Sequence, residues 1–116
     1  MKLKNILIVV NDIERSKTFY RDLFGLHVLM DQGENVILTE GLVLQERACW
    51  ESFTGTKASY GGNDAELYFE ENNMDRFLEK LASHPISYVN EVAEVAGRRV
   101  VRLYDPDMHV IEVKEV

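Results

Sequence analysis

The sequence predicts an α+β fold in which a single domain, residues 1–116, contains two βαβββ modules. Two observations support this. The same order of strand, helix and three strands occurs before and after a connector rich in small and polar residues. Within the strands, an apolar face alternates with a face that carries a polar group. Each helix then covers one face of a small sheet, and the other faces curl around a cavity. The first module spans 1–52, the connector 53–63 and the second module 64–116.

The first module begins with an apolar, β-branched run at 5–10 that is typical of a strand. A helix follows, with Asp12 as its N-cap and Gly25 as its C-terminal stop. The apolar face of this helix comprises Ile13, Phe19, Tyr20, Leu23 and Phe24. Turns that contain glycine separate the next three predicted strands, at 26–31, 35–40 and 42–47.

The second module repeats this order, beginning with a strand at 65–70. Its helix has Asn73 as the candidate cap and Pro85 as the stop. The apolar face of the helix comprises Met74, Phe77, Leu78 and Leu81. Three further strands are predicted at 86–92, 98–105 and 109–115.

The first and last strands of the two modules each offer a polar group on the side away from the helix. In the first module these groups are Asn5 and Gln45, and in the second they are Glu66 and Glu112. The repeat matches Asn5 with Glu66 and Gln45 with Glu112. Because side chains alternate along a strand, we expect all four on the same concave side.

Composition and charge exclude some classes of function. The formal net charge is −7, which argues against nucleic-acid binding because phosphate contacts need a basic surface. No apolar run approaches the length of a membrane span, and the N-terminus lacks a signal-peptide cleavage site. We therefore expect a cytoplasmic protein. Cys49 is the single cysteine, so no internal disulfide can form.

Two segments, "VVNDIERSKTFYRDLFGL" and "LYDPDMHVIEV", resemble the vicinal oxygen chelate superfamily. This superfamily includes glyoxalase I, bleomycin resistance proteins, fosfomycin resistance proteins and extradiol dioxygenases. The resemblance covers essentially the whole chain. It implies paired βαβββ modules that form a half-open barrel (the glyoxalase/bleomycin resistance/dioxygenase fold), and it implies a homodimer. One departure is Met108, at a turn position where this family usually has glycine.

The resemblance also implies a site for a divalent ion, Mg²⁺, Mn²⁺, Ni²⁺ or Zn²⁺. The positions of its ligands fall on Asn5, Gln45, Glu66 and Glu112. Asn5 and Glu66 stand where histidine is common, so extradiol dioxygenase chemistry is not expected. The resulting all-oxygen set suits a hard ion better than zinc or nickel. The alternative is that no ion binds, and that Asn5 and Gln45 hydrogen-bond to the carboxylates or to water.

Two functions remain open on this basis. The first is a glyoxalase-like lyase or isomerase in which Glu66 and Glu112 are catalytic, one of them moving a proton next to a carbonyl. The second is a metal-free, drug-binding protein of the bleomycin-resistance type. An acidic cavity lined by aromatic residues would suit a cationic, planar ligand.

Four aromatic side chains are candidates for contact with a small-molecule ligand: Trp50, Phe53, Tyr60 and Tyr68. The first three lie in the segment 46–60, which is predicted to be a loop that closes over the cavity.

Two further side chains have competing interpretations. Glu70 is either a third carboxylate in the cavity or a solvated residue at a strand end. His109 lies on the side of its strand opposite to Glu112, and we expect it to satisfy the turn at 105–107 rather than act as a catalyst.

Overall fold

The computed structural model describes residues 1–116, which divide into two compact units. The first unit comprises Met1–Tyr60 and the second Gly61–Val116. Each unit contains its own four-stranded mixed sheet. The α+β class and the two successive βαβββ modules are therefore confirmed. A cavity between the two modules stays a prediction.

The first unit consists of five main elements followed by a short helix. They are β1 (Ile6–Val10), α1 (Ile13–Phe24), β2 (Val28–Asp31), β3 (Asn35–Leu38), β4 (Leu42–Glu46) and α2 (Arg47–Thr54). A single 3₁₀ turn, Thr39–Gly41, precedes β4. The strand order is β1-β4-β3-β2, with β1 parallel to β4 and the other neighbours antiparallel.

The second unit repeats this topology without a helix at its end. Its elements are β5 (Glu66–Glu71), α3 (Met74–Ala82), β6 (Tyr88–Val95), β7 (Arg98–Tyr104) and β8 (Val110–Glu115). The strand order is β5-β8-β7-β6, with β5 parallel to β8 and the other pairs antiparallel. In each unit the first and last strands of the module are therefore direct neighbours at one edge of the sheet.

The predicted helix caps are confirmed. The Asp12 carboxylate accepts a hydrogen bond from the backbone N–H of Arg15 at 3.0 Å, satisfying a free donor of the first turn of α1. Gly25 ends α1 in the left-handed conformation, with φ of 67°. The Asn73 side chain accepts from the backbone N–H of Arg76 at 3.2 Å and so caps α3.

One face of each sheet is apolar and buried. In the first unit the buried core includes Val10, Tyr20, Leu23, Val36, Leu38 and Leu44. In the second it includes Met74, Phe77, Leu81, Val101, Leu103, Ile111 and Val113. Arg99 on β7 forms an ion pair of 2.7 Å with Asp75 on α3, so this helix lies on the apolar side of its sheet. The predicted alternation along β8 is confirmed, since Ile111 and Val113 are buried and Glu112 is only partly buried.

The helix α2 corrects the loop predicted for 46–60. Glu46 accepts a hydrogen bond from the N–H of Ala48 at 2.7 Å and caps the helix. Gly55 ends it in the left-handed conformation, and Arg47 and Glu51 form an ion pair one turn apart. The loop prediction was wrong for Arg47–Thr54 because it gave weight to the small and polar residues after 54 and missed these local signals.

Strand ends also differ from the prediction by a few residues. The first strand begins at Ile6, so Asn5 precedes it, and β6 extends to Val95 rather than ending at 92. The helix α3 ends at Ala82, before Pro85. No helix in the structure is both long and apolar enough to cross a membrane.

Candidate ligand-binding site

One side of the second unit's sheet brings together four polar side chains: Glu66, Tyr68, Arg102 and Glu112. Arg102 on β7 lies directly opposite Glu112 on β8, and Glu112 lies beside Tyr68 on β5. Glu66 is two residues before Tyr68 and therefore shares its side of the sheet. This group, the Arg102 cluster, lies opposite the apolar side to which α3 is fastened.

Arg102 links the two carboxylates. Its Nη2 donates to Oε2 of Glu112 at 2.7 Å, which is a short, charge-assisted hydrogen bond. Its Nε donates to Oε2 of Glu66 at 3.3 Å, a longer and weaker contact. The Glu112 side chain is 13% exposed, whereas Arg102 is 38% and Glu66 37% exposed. Glu112 is thus the fixed acceptor, and Glu66 is the more accessible one.

The pKa values of Arg102 and Tyr68 are both raised in this cluster. Partial burial lowers the pKa of Arg102, but the negative charges of Glu112 and Glu66 outweigh this effect, and the net result is a raised pKa. Burial also raises the pKa of the Tyr68 hydroxyl, and a hydrogen bond to Glu70 adds to the shift. Tyr68 is therefore a neutral donor at physiological pH, and Arg102 is a permanent cation.

Gln45, the predicted ligand in the first unit, is buried and already hydrogen-bonded. Its Oε1 accepts from Asn35 Nδ2 at 2.6 Å, and its Nε2 donates to Cys49 Sγ at 3.2 Å. Burial raises the pKa of the Cys49 thiol, and a side-chain hydrogen bond with Glu34 raises it further. Both ends of the Gln45 amide are therefore engaged by neighbours in the same unit.

Asn5 immediately precedes β1, with its side-chain oxygen close to Gly41. Asn5 and Gln45 belong to the first unit, and Glu66 and Glu112 to the second. The structure brings the two glutamates together around Arg102. A single site formed by all four residues stays a prediction.

The predicted aromatic contacts are also divided between the units. Trp50 and Phe53 lie on α2, where Trp50 is partly buried and Phe53 is exposed. Tyr60 is the last residue of the first unit and is largely exposed. Tyr68 belongs to the second unit and is 51% exposed beside Glu112. Of the four, Tyr68 alone is adjacent to a predicted catalytic carboxylate within its own unit.

The turn interpretation of His109 is confirmed. Its backbone N–H donates to Asp105 at 2.9 Å, and its ring Nδ1 lies 2.7 Å from the other oxygen of the same buried carboxylate. Asp105 also accepts from the N–H of Asp107 at 2.8 Å. Glu70 is exposed at its strand and accepts a hydrogen bond from Tyr68.

The chemistry of the donor set argues against a divalent ion at this cluster. Two carboxylates would be suitable ligands, but the Arg102 guanidinium already lies between them and would repel a second cation at short range. The Gln45 amide oxygen likewise has a partner at 2.6 Å. No group of three or more His, Cys, Asp or Glu side chains is arranged to hold a metal ion. As arranged, these residues do not fit the ion that the resemblance implies.

Sequence reasoning missed two residues of this arrangement, Arg102 and Asn35. A signal for Arg102 was present in the hairpin turn at 105–108. Pairing of Tyr104 with Val110 across this turn places Arg102 opposite Glu112, since the turn fixes the register of a hairpin. Asn35 lies opposite Gln45 in the same way across the β3–β4 connection.

Comparisons with known proteins agree with this architecture. Residues 3–116 match the model of the glyoxalase-like domain family. No match was found among curated proteins.

Several solved structures are similar over nearly the whole chain. A protein of unknown function from Agrobacterium tumefaciens is 37% identical, with a TM-score of 0.85, covering 100% of this chain and 94% of that one. A fosfomycin resistance protein from Mesorhizobium loti is 14% identical, with a TM-score of 0.75, covering 99% and 92%. A lactoylglutathione lyase from Agrobacterium tumefaciens is 19% identical, with a TM-score of 0.72, covering 98% and 92%. At these identities the last two comparisons support a common fold only.

Proposed function

Because the chain belongs to the glyoxalase-like domain family, we propose that it is a small-molecule-binding member that works without a metal ion. This is the bleomycin-resistance type of function, and it is favoured here over a metal-dependent lyase or isomerase. Two similar structures are named as a fosfomycin resistance protein and a lactoylglutathione lyase, and these names do not decide between the two functions for this chain.

The observation that carries the proposal is the position of Arg102. It lies between the two carboxylates on which the resemblance places both metal ligands and catalytic groups of the second module. A protein cation at this place balances half of their charge without a bound ion. Glu112, tied at 2.7 Å and largely buried, is also poorly placed to collect a proton from a substrate.

The proposal is tested by removing metal and measuring thermal stability. Protein treated with a chelator is titrated separately with Mg²⁺, Mn²⁺, Ni²⁺ and Zn²⁺ while its Tm is followed. A ligand that binds only the folded state at 100 times its Kd stabilises by about 2.7 kcal/mol, which a melting experiment detects readily. We expect no such rise for the natural protein. In the same metal-free protein, a screen of small planar molecules should give compounds that raise the Tm.

The variant Arg102→Met is the control for the assay. Without the guanidinium the two carboxylates are free to attract a divalent ion, so this variant should gain a metal-dependent rise in Tm. A rise in the natural protein at ion concentrations near that of the protein, lost in Glu112→Gln, would contradict the proposal.

A homodimer and a cytoplasmic location stay predictions that accompany this proposal.

A further inference from the structure

The polar atoms left unpaired around Arg102 define a chemical class of ligand. We propose that the Arg102 cluster binds a neutral, planar molecule whose edge carries a hydrogen-bond acceptor beside an N–H donor, as a carboxamide or a lactam does. This inference rests on the proposed function and specifies the ligand for it. It replaces the cationic ligand suggested by the overall acidity of the chain.

The donors come from Arg102. A guanidinium has five N–H groups. One, on Nε, is used by Glu66, and one, on Nη2, is used by Glu112. The remaining three make no hydrogen bond to protein atoms, and the side chain is partly exposed. These N–H groups are available to an acceptor oxygen of a ligand.

The acceptors come from the same two carboxylates. Glu66 and Glu112 each use Oε2 for the contact with Arg102. Oε1 of each carboxylate accepts no hydrogen bond from the protein. Because Glu66 is the more exposed of the two, its Oε1 is the more accessible acceptor. The same cluster therefore offers unused donors on Arg102 and an unused acceptor on Glu66.

Charge and hydrogen bonding together select among ligands. Two carboxylates and one guanidinium leave an excess of one negative charge, which disfavours an anion. An anion would also satisfy only the donors of Arg102, and a cation would satisfy only the free carboxylate oxygens. An amide edge accepts from Arg102 and donates to Glu66, so it leaves neither group unpaired.

Tyr68 supplies a flat surface beside this edge. It is the cross-strand neighbour of Glu112, and its ring is half exposed. Its hydroxyl donates to Glu70 at 3.2 Å, which holds the ring in place. An aromatic ring that is held in this way favours a planar ligand over a bulky aliphatic one.

Three probes of nearly equal size and shape test the inference: benzamide, benzoate and benzamidine. They are neutral, anionic and cationic at pH 7, respectively. Binding to the metal-free protein is measured by chemical shifts of backbone amides, with Arg102 and Glu112 as local reporters. We expect benzamide to bind about fivefold more tightly than either charged probe, the contribution of one net hydrogen bond.

Two variants with the same change of charge sharpen the test. Glu66→Gln removes the excess negative charge, so benzoate should gain affinity relative to benzamide. Glu79→Gln changes an exposed residue of α3, on the other side of the sheet from the cluster, and should leave the ranking unchanged. A preference of the natural protein for benzoate or benzamidine overturns the inference, and so does the absence of binding up to the solubility limit of benzamide. The metal titration decides the proposed function separately, since ligand binding of another class would leave that proposal standing.

Discussion

Arg102 is the residue that most changes the interpretation of this chain. Two glutamates on neighbouring strands would repel each other if they faced a partly buried site without a cation. The guanidinium between them offsets this repulsion and presents directional donors beside the carboxylate acceptors. On the proposed function, this single side chain distinguishes a metal-free binding site from an ion site.

A second ion pair in the same unit makes stability depend on pH. Arg99 donates to both oxygens of Glu115, at 3.0 Å and 2.9 Å, and its backbone N–H adds a third bond. These side-chain hydrogen bonds lower the pKa of Glu115 to about 2, from its ordinary value of 4.5. The charged form of Glu115 is therefore favoured more strongly in the folded chain than in the unfolded one.

We predict that Glu115→Gln lowers stability at neutral pH and flattens its dependence on acid. Because the folded pKa is the lower one, the contribution of Glu115 is fully present above pH 4.5 and is lost as the pH falls to about 2. Urea midpoints measured across this range should converge for the two proteins at the acid end. Glu79→Gln changes an exposed residue of α3 and is the control. Its urea midpoint should follow that of the natural protein at each pH. A difference in urea midpoint between Glu115→Gln and the natural protein that stays constant from pH 4.5 to about 2 would contradict the lowered pKa of Glu115.

The β7–β8 hairpin carries Arg102 and Glu112, and its turn contains a strained residue. Met108 has φ of 67°, in the left-handed region that favours glycine. The turn is held by the bond from the Met108 N–H to the carbonyl of Asp105, at 3.0 Å. Asp105 also binds the N–H groups of Asp107 and His109. These contacts keep Met108 in a conformation that is unfavourable for a side chain with Cβ.

We predict that Met108→Gly stabilises the protein by about 1 kcal/mol relative to Met108→Ala, measured by urea denaturation. Both variants lose the methionine side chain, and only glycine removes the strain at Cβ. Comparing the two therefore separates backbone strain from lost packing. Equal stability of the two variants would show that φ at this position carries no cost.

At the scale of the whole molecule, the chain consists of two units joined by a segment without regular structure. No helix or strand lies between Thr54 and Glu66. The first part of this segment is anchored to α2, since the carbonyl of Ala58 accepts from Arg47 and its N–H donates to Glu51. Tyr60, just beyond this anchor, is 62% exposed.

We predict that limited digestion with chymotrypsin cleaves first after Tyr60 and yields fragments 1–60 and 61–116, identified by mass spectrometry. Exposed segments outside helices and strands are the preferred sites of cleavage. Tyr60→Ser should remove this first cut and leave later ones unchanged. A first cut after Trp50 or Phe53 would mean instead that α2 opens more readily than the connecting segment.

Much of the fold follows from local sequence. Asp12, Gly25 and Asn73 mark helix ends by interactions within a few residues, and the alternation along β8 depends only on the period of a strand. The helix α2 was missed, although Gly55 and the Arg47–Glu51 spacing are signals of the same local kind. These features are predictable because their physical causes lie close together along the chain.

The sequence by itself determined the duplicated strand and helix order, the capped helices and the side of the strand on which Glu66 and Glu112 lie. Only the tertiary structure decided that Arg102 joins the two carboxylates, and that Asn35 and Cys49 engage Gln45. Arg102 is 36 residues from Glu66 and 10 from Glu112 along the chain. The contact between Arg102 and Glu66 crosses β8 between two strands that are not consecutive in the chain, so it depends on strand order, which residue type and alternation leave undetermined.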